Sequence, residues 1–201
     1  MITAGATVER IDPVRYITND SSGKMGYSIA KRAFIRGADV TIISGKTTAE
    51  SPYGIENIKV ESAIEMKEKI ESCIDNFDCL IMAAAVSDFK VKNRKDLKIK
   101  KQDGINSLEL EENPDILKSL NKKDGQTFIG FAAETNNLLE NAKKKLDKKN
   151  LDFIVLNDVS KKDIGFNSEY NKVTIISKDN ILEIDKNTKL NIADKILDLI
   201  K

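Results

Sequence analysis

Six apolar runs of four to eight residues, at 40–44, 57–60, 79–86, 127–132, 153–157 and 172–177, alternate with segments whose apolar residues recur every third or fourth position. Runs that short read as strands, and the 3.6-residue period between them reads as helix. Strand, helix, strand in repetition predicts an α/β chain with a mostly parallel sheet. Between 23 and 36, Met25, Ile29, Ala33 and Ala30, Phe34 form an i, i+4 stripe, and Gly37 supplies the stop. Ser62 and Glu65 form a capping box ahead of Met66, Ile70, Cys73, Ile74 and Phe77. Thr135 is placed to cap a helix carrying Leu138, Leu139, Ala142 and Leu146, and Thr188 one carrying Ile192, Ile196 and Leu199.

Three places depart from the alternation. Residues 97–112 read as two short strands around Asp103-Gly104, a hairpin turn signal, so a basic hairpin over about 90–112 is expected to project from the sheet as a flap or dimerisation arm. Residues 173–177 and 181–184 flank Asp179-Asn180 and read as an antiparallel edge hairpin. At the start, Met1-Ile2-Thr3 is the tail of a first strand, because Ala4-Gly5-Ala6-Thr7 already forms the turn after it. The expectation is a single domain over 1–201 with a truncated first strand, the second part of something longer.

Charge and composition remove whole classes of function. Lys and Arg number 33 against 32 Asp and Glu, a balance that argues for neither nucleic acid nor a membrane surface. The positive charge is instead local: Lys90, Lys92, Arg94, Lys95, Lys98, Lys100 and Lys101 lie close together, as do Lys143, Lys144, Lys145, Lys148 and Lys149. Such patches suit a small polyanion, though they equally suit a solvated surface. The chain has no histidine, which excludes Ser-His-Asp and Cys-His chemistry and His-ligated metal. Cys73 and Cys79 have no metal or redox spacing and read as core thiols. With no secretory signal and no apolar run near 18 residues, a cytoplasmic location is expected.

Ligands of open α/β sheets bind beyond the carboxyl ends of the strands, and four segments fall there. Ala4-Gly5-Ala6-Thr7 is a turn without the glycine spacing of a dinucleotide fingerprint. Ala83-Ala84-Ala85-Val86-Ser87-Asp88 ends a strand with small side chains that admit a ligand to the backbone; a tight strand–helix contact with Asp88 as its cap explains the segment as well. Asn113-Pro114-Asp115-Ile116-Leu117 puts proline at a helix start, where its missing N–H costs nothing. Phe131 to Asn137 again runs from strand end to helix start, and Lys145 and Lys149 lie one turn apart, near a helix end whose dipole already explains them. The most informative run is Ile11 to Gly26, which brings Arg15, Asn19, Ser21, Ser22, Gly23 and Lys24 to the start of a helix, a backbone able to turn tightly and to present N–H groups to an anion.

In this order, these segments closely resemble the phosphopantothenoylcysteine synthetase family, the ligase half of the bifunctional coenzyme A biosynthesis protein. The match covers nearly the whole chain, and the run from Ile2 to Gly26 is its most specific part. The resemblance implies a Rossmann-like fold, a homodimer, and ligation of 4′-phosphopantothenate to cysteine. It further implies CTP with Mg2+ or a similar divalent cation, an acyl-cytidylate intermediate, and release of pyrophosphate and CMP. By position, Asn19 matches the family's catalytic asparagine, Arg15 the arginine before it, and Lys98 the flap lysine at the nucleotide phosphates. Ala84 and Asp88 match residues of the nucleotide site, and Pro114, Asp115, Ile116, Leu117, Phe131, Lys145 and Lys149 match the remaining CTP contacts. The metal ligands stay unassigned. No flavin is expected in this chain, and a flavin-dependent decarboxylase, fused or separate, is the expected companion.

Two other readings compete. A nicotinamide-dependent reductase would share the fold pattern, but the glycine fingerprint is absent. A non-catalytic nucleotide-binding module would have no use for both Asn19 and Lys98.

Overall fold

The computed structural model describes residues 1–103, 107–134, 138–158, 165 and 167–200. Its centre is an eight-stranded sheet. Along the chain the strands are β1 (Ile2–Ala4), β4 (Thr41–Ser44), β5 (Glu56–Lys59), β6 (Cys79–Met82), β9 (Thr127–Glu134), β10 (Phe153–Asp158), β11 (Tyr170–Ile176) and β12 (Ile181–Thr188). Two small antiparallel ribbons lie outside it, β2 (Val8–Arg10) with β3 (Tyr16–Thr18) and β7 (Phe89–Val91) with β8 (Leu110–Glu112). The sheet order is β12-β11-β10-β9-β6-β1-β4-β5. Every pairing from β10 to β5 is parallel, and β11 and β12 close one side as the expected antiparallel edge hairpin.

Strand residues alternate between two cores, as a sheet covered on both faces requires. Ile42, Ile81, Ile129 and Val155 point to one face, which α1 (Lys24–Ile35) and α5 (Lys189–Leu197) cover with Ile29, Ala30, Ala33, Ile192 and Ile196. Ile43, Leu80, Phe128 and Ile154 point to the other, where α2 (Ala63–Glu71), α3 (Ile116–Ser119) and α4 (Leu138–Lys148) supply Met66, Ile70, Ile116, Ala142 and Leu146. The chain leaves β1 toward β4 on one side and later places β6 on the other, so the sheet reverses direction between β1 and β6. Their carboxyl ends therefore flank an open crevice. Gly26 lets α1 approach β1 closely: a Cβ there would stand 2.7 Å from the Ala4 Cβ and the Thr3 carbonyl oxygen.

Several local expectations hold. Ser62 Oγ accepts from the Glu65 N–H and Thr188 Oγ1 from that of Asn191, while Gly37 ends the α1 segment at φ +87°. The Glu65 carboxylate accepts from the Glu61 N–H, one residue earlier than the capping box predicts. Phe34 is 48% exposed and does not complete the buried stripe. Both cysteines are half-buried free thiols, and burial pushes Cys79 up to about 11. Thr135, Asn136 and Asn137 lie outside the described residues. None of the described helices is long and apolar enough to cross a membrane.

The hairpin expected inside 97–112 is not formed as predicted. Residues 92–100 form no strand and Lys101–Asp103 is a single 3₁₀ turn, while Gly104 is outside the described residues. Pairing occurs instead at the base of the excursion, between β7 and β8. The physical reason is composition. Seven of the nine residues from Lys92 to Lys100 are charged or amide-bearing, so the run has no apolar face to bury, whereas Phe89, Val91 and Leu110 give the base one. The excursion is fastened to the β2–β3 ribbon: the Lys95 N–H donates to the Ile11 carbonyl at 2.9 Å, and the Ile99 N–H donates to Asp12 Oδ2 at 3.2 Å. Asp12 is fully buried. Burial would raise its carboxyl, but the N–H groups of Val14, Arg15 and Ile99, with the Arg15 guanidinium, outweigh that and hold it below the ordinary carboxylate range.

Candidate functional site

A cleft of about 720 Å³ opens at the carboxyl ends of β1, β6, β9 and β10, at the sheet's reversal point. Its floor is the stretch after β6, which leaves the strand at Met82, earlier than the predicted residue 86. Two buried threonines pin that stretch. Thr3 Oγ1 accepts from the Ala84 N–H at 3.0 Å, and Thr7 Oγ1 from the Ser87 N–H at 2.9 Å. Backbone pairing between Gly5, Thr7 and Ala85 completes the clamp. Because Ala83, Ala84 and Ala85 carry only methyl groups, a ligand can approach this rigid backbone.

Asn19 reaches the floor from the approach to α1, its Nδ2 donating to the Val86 carbonyl at 3.2 Å. The turn behind it is made by Gly23, which caps α1 in the left-handed region at φ +80°, and Gly23, Lys24, Met25 and Gly26 line the cleft. Across the floor, Asp88 lines the cleft but is no helix cap, since no helix follows it; its carbonyl accepts from the Asn113 N–H at 2.8 Å. Pro114 is not the first helical residue as expected. Asp115 is the N-cap of the four-residue α3 and accepts from the Lys118 N–H, so Pro114 lies one step outside. The Asp115 carboxylate also pairs with Lys149 at 3.1 Å, which ties α3 to the end of α4. Ile116, Leu117, Phe131 and Lys145 complete this wall.

Thus Asn19, Ala84, Asp88, Pro114, Asp115, Ile116, Leu117, Phe131, Lys145 and Lys149, spread over 130 positions of sequence, line one cleft. Arg15 and Lys98 do not line it in the single chain. The Arg15 guanidinium is held by the Ile99 carbonyl and by Asp12, and Lys98 is exposed on the excursion.

Some lining residues were not anticipated. Among the described residues, three buried side-chain oxygens have no hydrogen-bond partner, Ser87 Oγ, Asn113 Oδ1 and Asn157 Oδ1, and all three residues belong to the cleft. The Asn113 amide orientation is fixed, because its Nδ2 donates to the Ser87 carbonyl at 2.9 Å. Orphaned acceptors gathered at one cleft mark polar ground for a ligand or bridging water. Lys24 and Lys189 form a second basic corner opposite Lys145 and Lys149. Lys24 Nζ pairs with Glu169 and donates to the Asn167 carbonyl at 3.0 Å. Lys189 is 3% exposed and donates to the Gly165 carbonyl at 2.8 Å; burial, reinforced by Lys24 and opposed by Glu169, lowers its ammonium to about 8. One sequence signal pointed to it: a lysine directly after an N-cap opposes the helix dipole.

Carboxylates reach the cleft singly, from Asp20, Asp88, Glu112 and Asp115, and no group of three or more metal-binding side chains occurs among the described residues. This donor set fits a magnesium ion that arrives on phosphate oxygens and keeps its waters.

Comparison with known proteins agrees with the fold. The family model described as the DNA/pantothenate metabolism flavoprotein C-terminal domain matches residues 1–201. The coenzyme A biosynthesis bifunctional protein CoaBC of Bacillus subtilis strain 168 is 48% identical over 98% of this chain and 49% of its own length. That of Borreliella burgdorferi is 44% identical over 100% of this chain and 51% of its own. The chain thus spans about half the length of these curated relatives. Among solved structures, the C-terminal domain of a CoaBC protein superposes with a TM-score of 0.83 at 43% identity, over 99% of this chain and 91% of that one. The family resemblance and the mostly parallel α/β fold read from the sequence are borne out.

Proposed function

Since the chain belongs to the DNA/pantothenate metabolism flavoprotein C-terminal domain family, we propose that it ligates 4′-phosphopantothenate to L-cysteine in coenzyme A biosynthesis, with CTP as the activating nucleotide. In the first step a carboxylate oxygen of 4′-phosphopantothenate attacks the α-phosphorus of CTP, and the bond to pyrophosphate breaks. In the second, the free amine of cysteine attacks the acyl carbon of the cytidylate, CMP leaves, and the amine proton passes to solvent.

The observation that carries this reading is the single cleft in which Asn19, the Ala83–Asp88 backbone and the Lys145–Lys149–Asp115 corner meet at the sheet's reversal point. The chemistry asks for little more. Asn19 offers an uncharged amide beside an anionic intermediate, where a carboxylate would repel it. Its anchor on the Val86 carbonyl holds that amide over the floor. Lys145 and Lys149 supply positive charge for the nucleotide phosphates, each charge-assisted hydrogen bond contributing on the order of 1.5–3 kcal/mol. A divalent cation, if carried in on the triphosphate, would supply further neutralisation of the phosphate charge. Pro114, Ile116, Leu117 and Phe131 provide the apolar wall for the base and ribose.

Arg15 and Lys98 act, in this reading, through the excursion between β7 and β8. Arg15 fastens it, and Lys98 reaches the phosphates when the excursion moves or when it comes from the second copy of a homodimer. A flavin-dependent decarboxylase, fused or separate, would supply the other activity of the longer bifunctional relatives.

The test is pyrophosphate release with 4′-phosphopantothenate and cysteine, comparing the four nucleoside triphosphates. Release that needs 4′-phosphopantothenate, continues beyond one turnover only when cysteine is present and is fastest with CTP is the expected result. Oxidation of NADPH without nucleotide turnover would favour the reductase, and CTP binding without turnover the inert module. Lys98→Gln should raise the KM for CTP, and unchanged CTP kinetics would remove Lys98 from the phosphates.

A further inference from the structure

Asp12 uses its two carboxylate oxygens for different tasks. Oδ1 accepts the N–H groups of Val14 and Arg15, both at 2.8 Å, and so closes the turn between β2 and β3. Asparagine closes such turns through the same oxygen, so the turn alone asks for no charge. Oδ2 makes neither of those bonds. It accepts the Ile99 N–H at 3.2 Å, from 87 positions away, and pairs with the Arg15 guanidinium at 3.3 Å. That guanidinium in turn donates to the Ile99 carbonyl, so both backbone polar groups of Ile99 are held. A fully buried carboxylate is costly where a neutral amide would serve. The second oxygen, and the charge with it, is accounted for by the excursion between β7 and β8.

Ile99 directly follows Lys98. Earlier in the excursion the Lys95 N–H donates to the Ile11 carbonyl at 2.9 Å, so the exposed Lys98 lies between two fastened points. Both points attach to Ile11 and Asp12, at the turn of the β2–β3 ribbon. At its other end β3 stops at Thr18, whose Oγ1 donates to the Thr7 carbonyl at 2.7 Å, and Asn19 comes next. The turn at Asp12 therefore joins the two groups assigned to the nucleotide phosphates and to the anionic intermediate. Lys98 is one residue from it through Ile99, and Asn19 is one short strand from it through β3.

We propose that Asp12 is a positioning residue for the ligation, whose second carboxylate oxygen fixes the Lys98-bearing excursion to the ribbon that leads to Asn19. Its part in the reaction rests on the ligase reading above. Asp12 does not line the cleft and touches no substrate; it acts on Lys98 through Ile99. Lys98 is thereby presented from a fixed base, whether it meets the nucleotide of its own chain or that of a second copy.

The experiment compares wild type, Asp12→Asn, Lys98→Gln and the double variant. Asp12→Asn keeps the oxygen that closes the turn but sets an amide NH2 against the Ile99 N–H and the Arg15 guanidinium, so the tie breaks and the turn stays. It should lower kcat/KM for CTP about tenfold. In the Lys98→Gln background it should cost less than about twofold more, because the tie then has nothing to place. A purely structural Asp12 would instead lower the unfolding midpoint and leave the two kinetic effects multiplicative. Amide hydrogen exchange of the ligand-free protein reads the tie without catalysis. Asp12→Asn should speed exchange at Ile99 about tenfold and leave Val14 and Arg15 as slow as in wild type. If wild type fails to ligate but that difference stands, the ligase reading falls and the tie survives. If ligation proceeds with unchanged CTP kinetics in Asp12→Asn, or if the two effects multiply, the positioning role falls and the ligase reading survives. Should Asp12→Asn fail to fold, Arg15→Lys decides by the same cycle and the same exchange, since it keeps the charge but loses the fork that spans Asp12 and the Ile99 carbonyl.

Discussion

Replacing Lys189 with methionine should make the unliganded protein more stable at neutral pH, and the gain should vanish as the solution becomes alkaline. The methionine keeps the apolar stem but removes the ammonium. In the folded chain that ammonium titrates near 8 rather than at 10.5, chiefly because it is buried. At about 1.4 kcal/mol for each pH unit of displacement, its charged form is about 3 kcal/mol less favourable in the folded state than in the unfolded one. The Gly165 carbonyl loses its partner in the variant, which gives back on the order of 1–3 kcal/mol, so the expected net gain at pH 7 is about 1 kcal/mol. The pH dependence is free of that offset. Between pH 8 and 10.5 the unfolded chain binds more protons at this site than the folded one, so wild-type stability rises with pH through that window and is lost as pH falls toward 8. Relative to the variant, wild type should therefore gain about 2 kcal/mol between pH 7 and 9.5. Urea unfolding of both proteins at pH 7, 8 and 9.5 measures the difference directly, and other groups titrating in that range cancel because both proteins contain them. A difference that stays flat over this range would refute the claim that Lys189 is held as a strained cation.

Three further outcomes can be checked independently. Gly26→Ala should destabilise the fold by about 1–3 kcal/mol in urea unfolding, because its methyl group would stand 2.7 Å from the Ala4 Cβ and the Thr3 carbonyl oxygen where α1 packs on β1; an unchanged midpoint would mean that α1 can slide. Tyr27 should ionise near 8: burial would raise it, but hydrogen bonds from Thr47 and Lys59 prevail, with Ser44 and Asn57 contributing. Absorbance at 295 nm should then resolve one of the four tyrosines well below 10, and Lys59→Met should shift it upward, whereas a single transition near 10 contradicts the network. Asn19→Asp should bind CTP yet stall after activation, so that acid-quenched reactions contain acyl-cytidylate by mass spectrometry; normal turnover would remove Asn19 from the chemistry.

The sheet, its order of elements and most helix ends were legible in the sequence, for a local reason. Burial on both faces forces continuous apolar strands such as 79–82 and 153–157, and caps such as Ser62 and Thr188 act through bonds only three residues long. The β2–β3 ribbon was missed because it is three residues per strand and depends on a buried Asp12 that accepts N–H groups from residues 14, 15 and 99. The hairpin expected around Asp103-Gly104 followed a turn signal, but the flanking residues had no apolar face and pairing moved outward to Phe89–Val91 and Leu110–Glu112.

The candidate site divides along the same line. Its identity as a strand-end cleft, its glycine at 23 and the pair Lys145, Lys149 follow from spacing along one segment of chain. What sits beside what does not. Lys189 looks like an ordinary residue after a helix cap until α5 packs against α1 and buries it next to Lys24. Asn113 becomes an orphaned acceptor only when β8 and the floor close on each other. Local propensity decides which elements form, because it is set by neighbours three or four residues away. The charge balance of the cleft is decided by contacts between segments more than a hundred residues apart, and only the folded chain brings those charges within reach of each other.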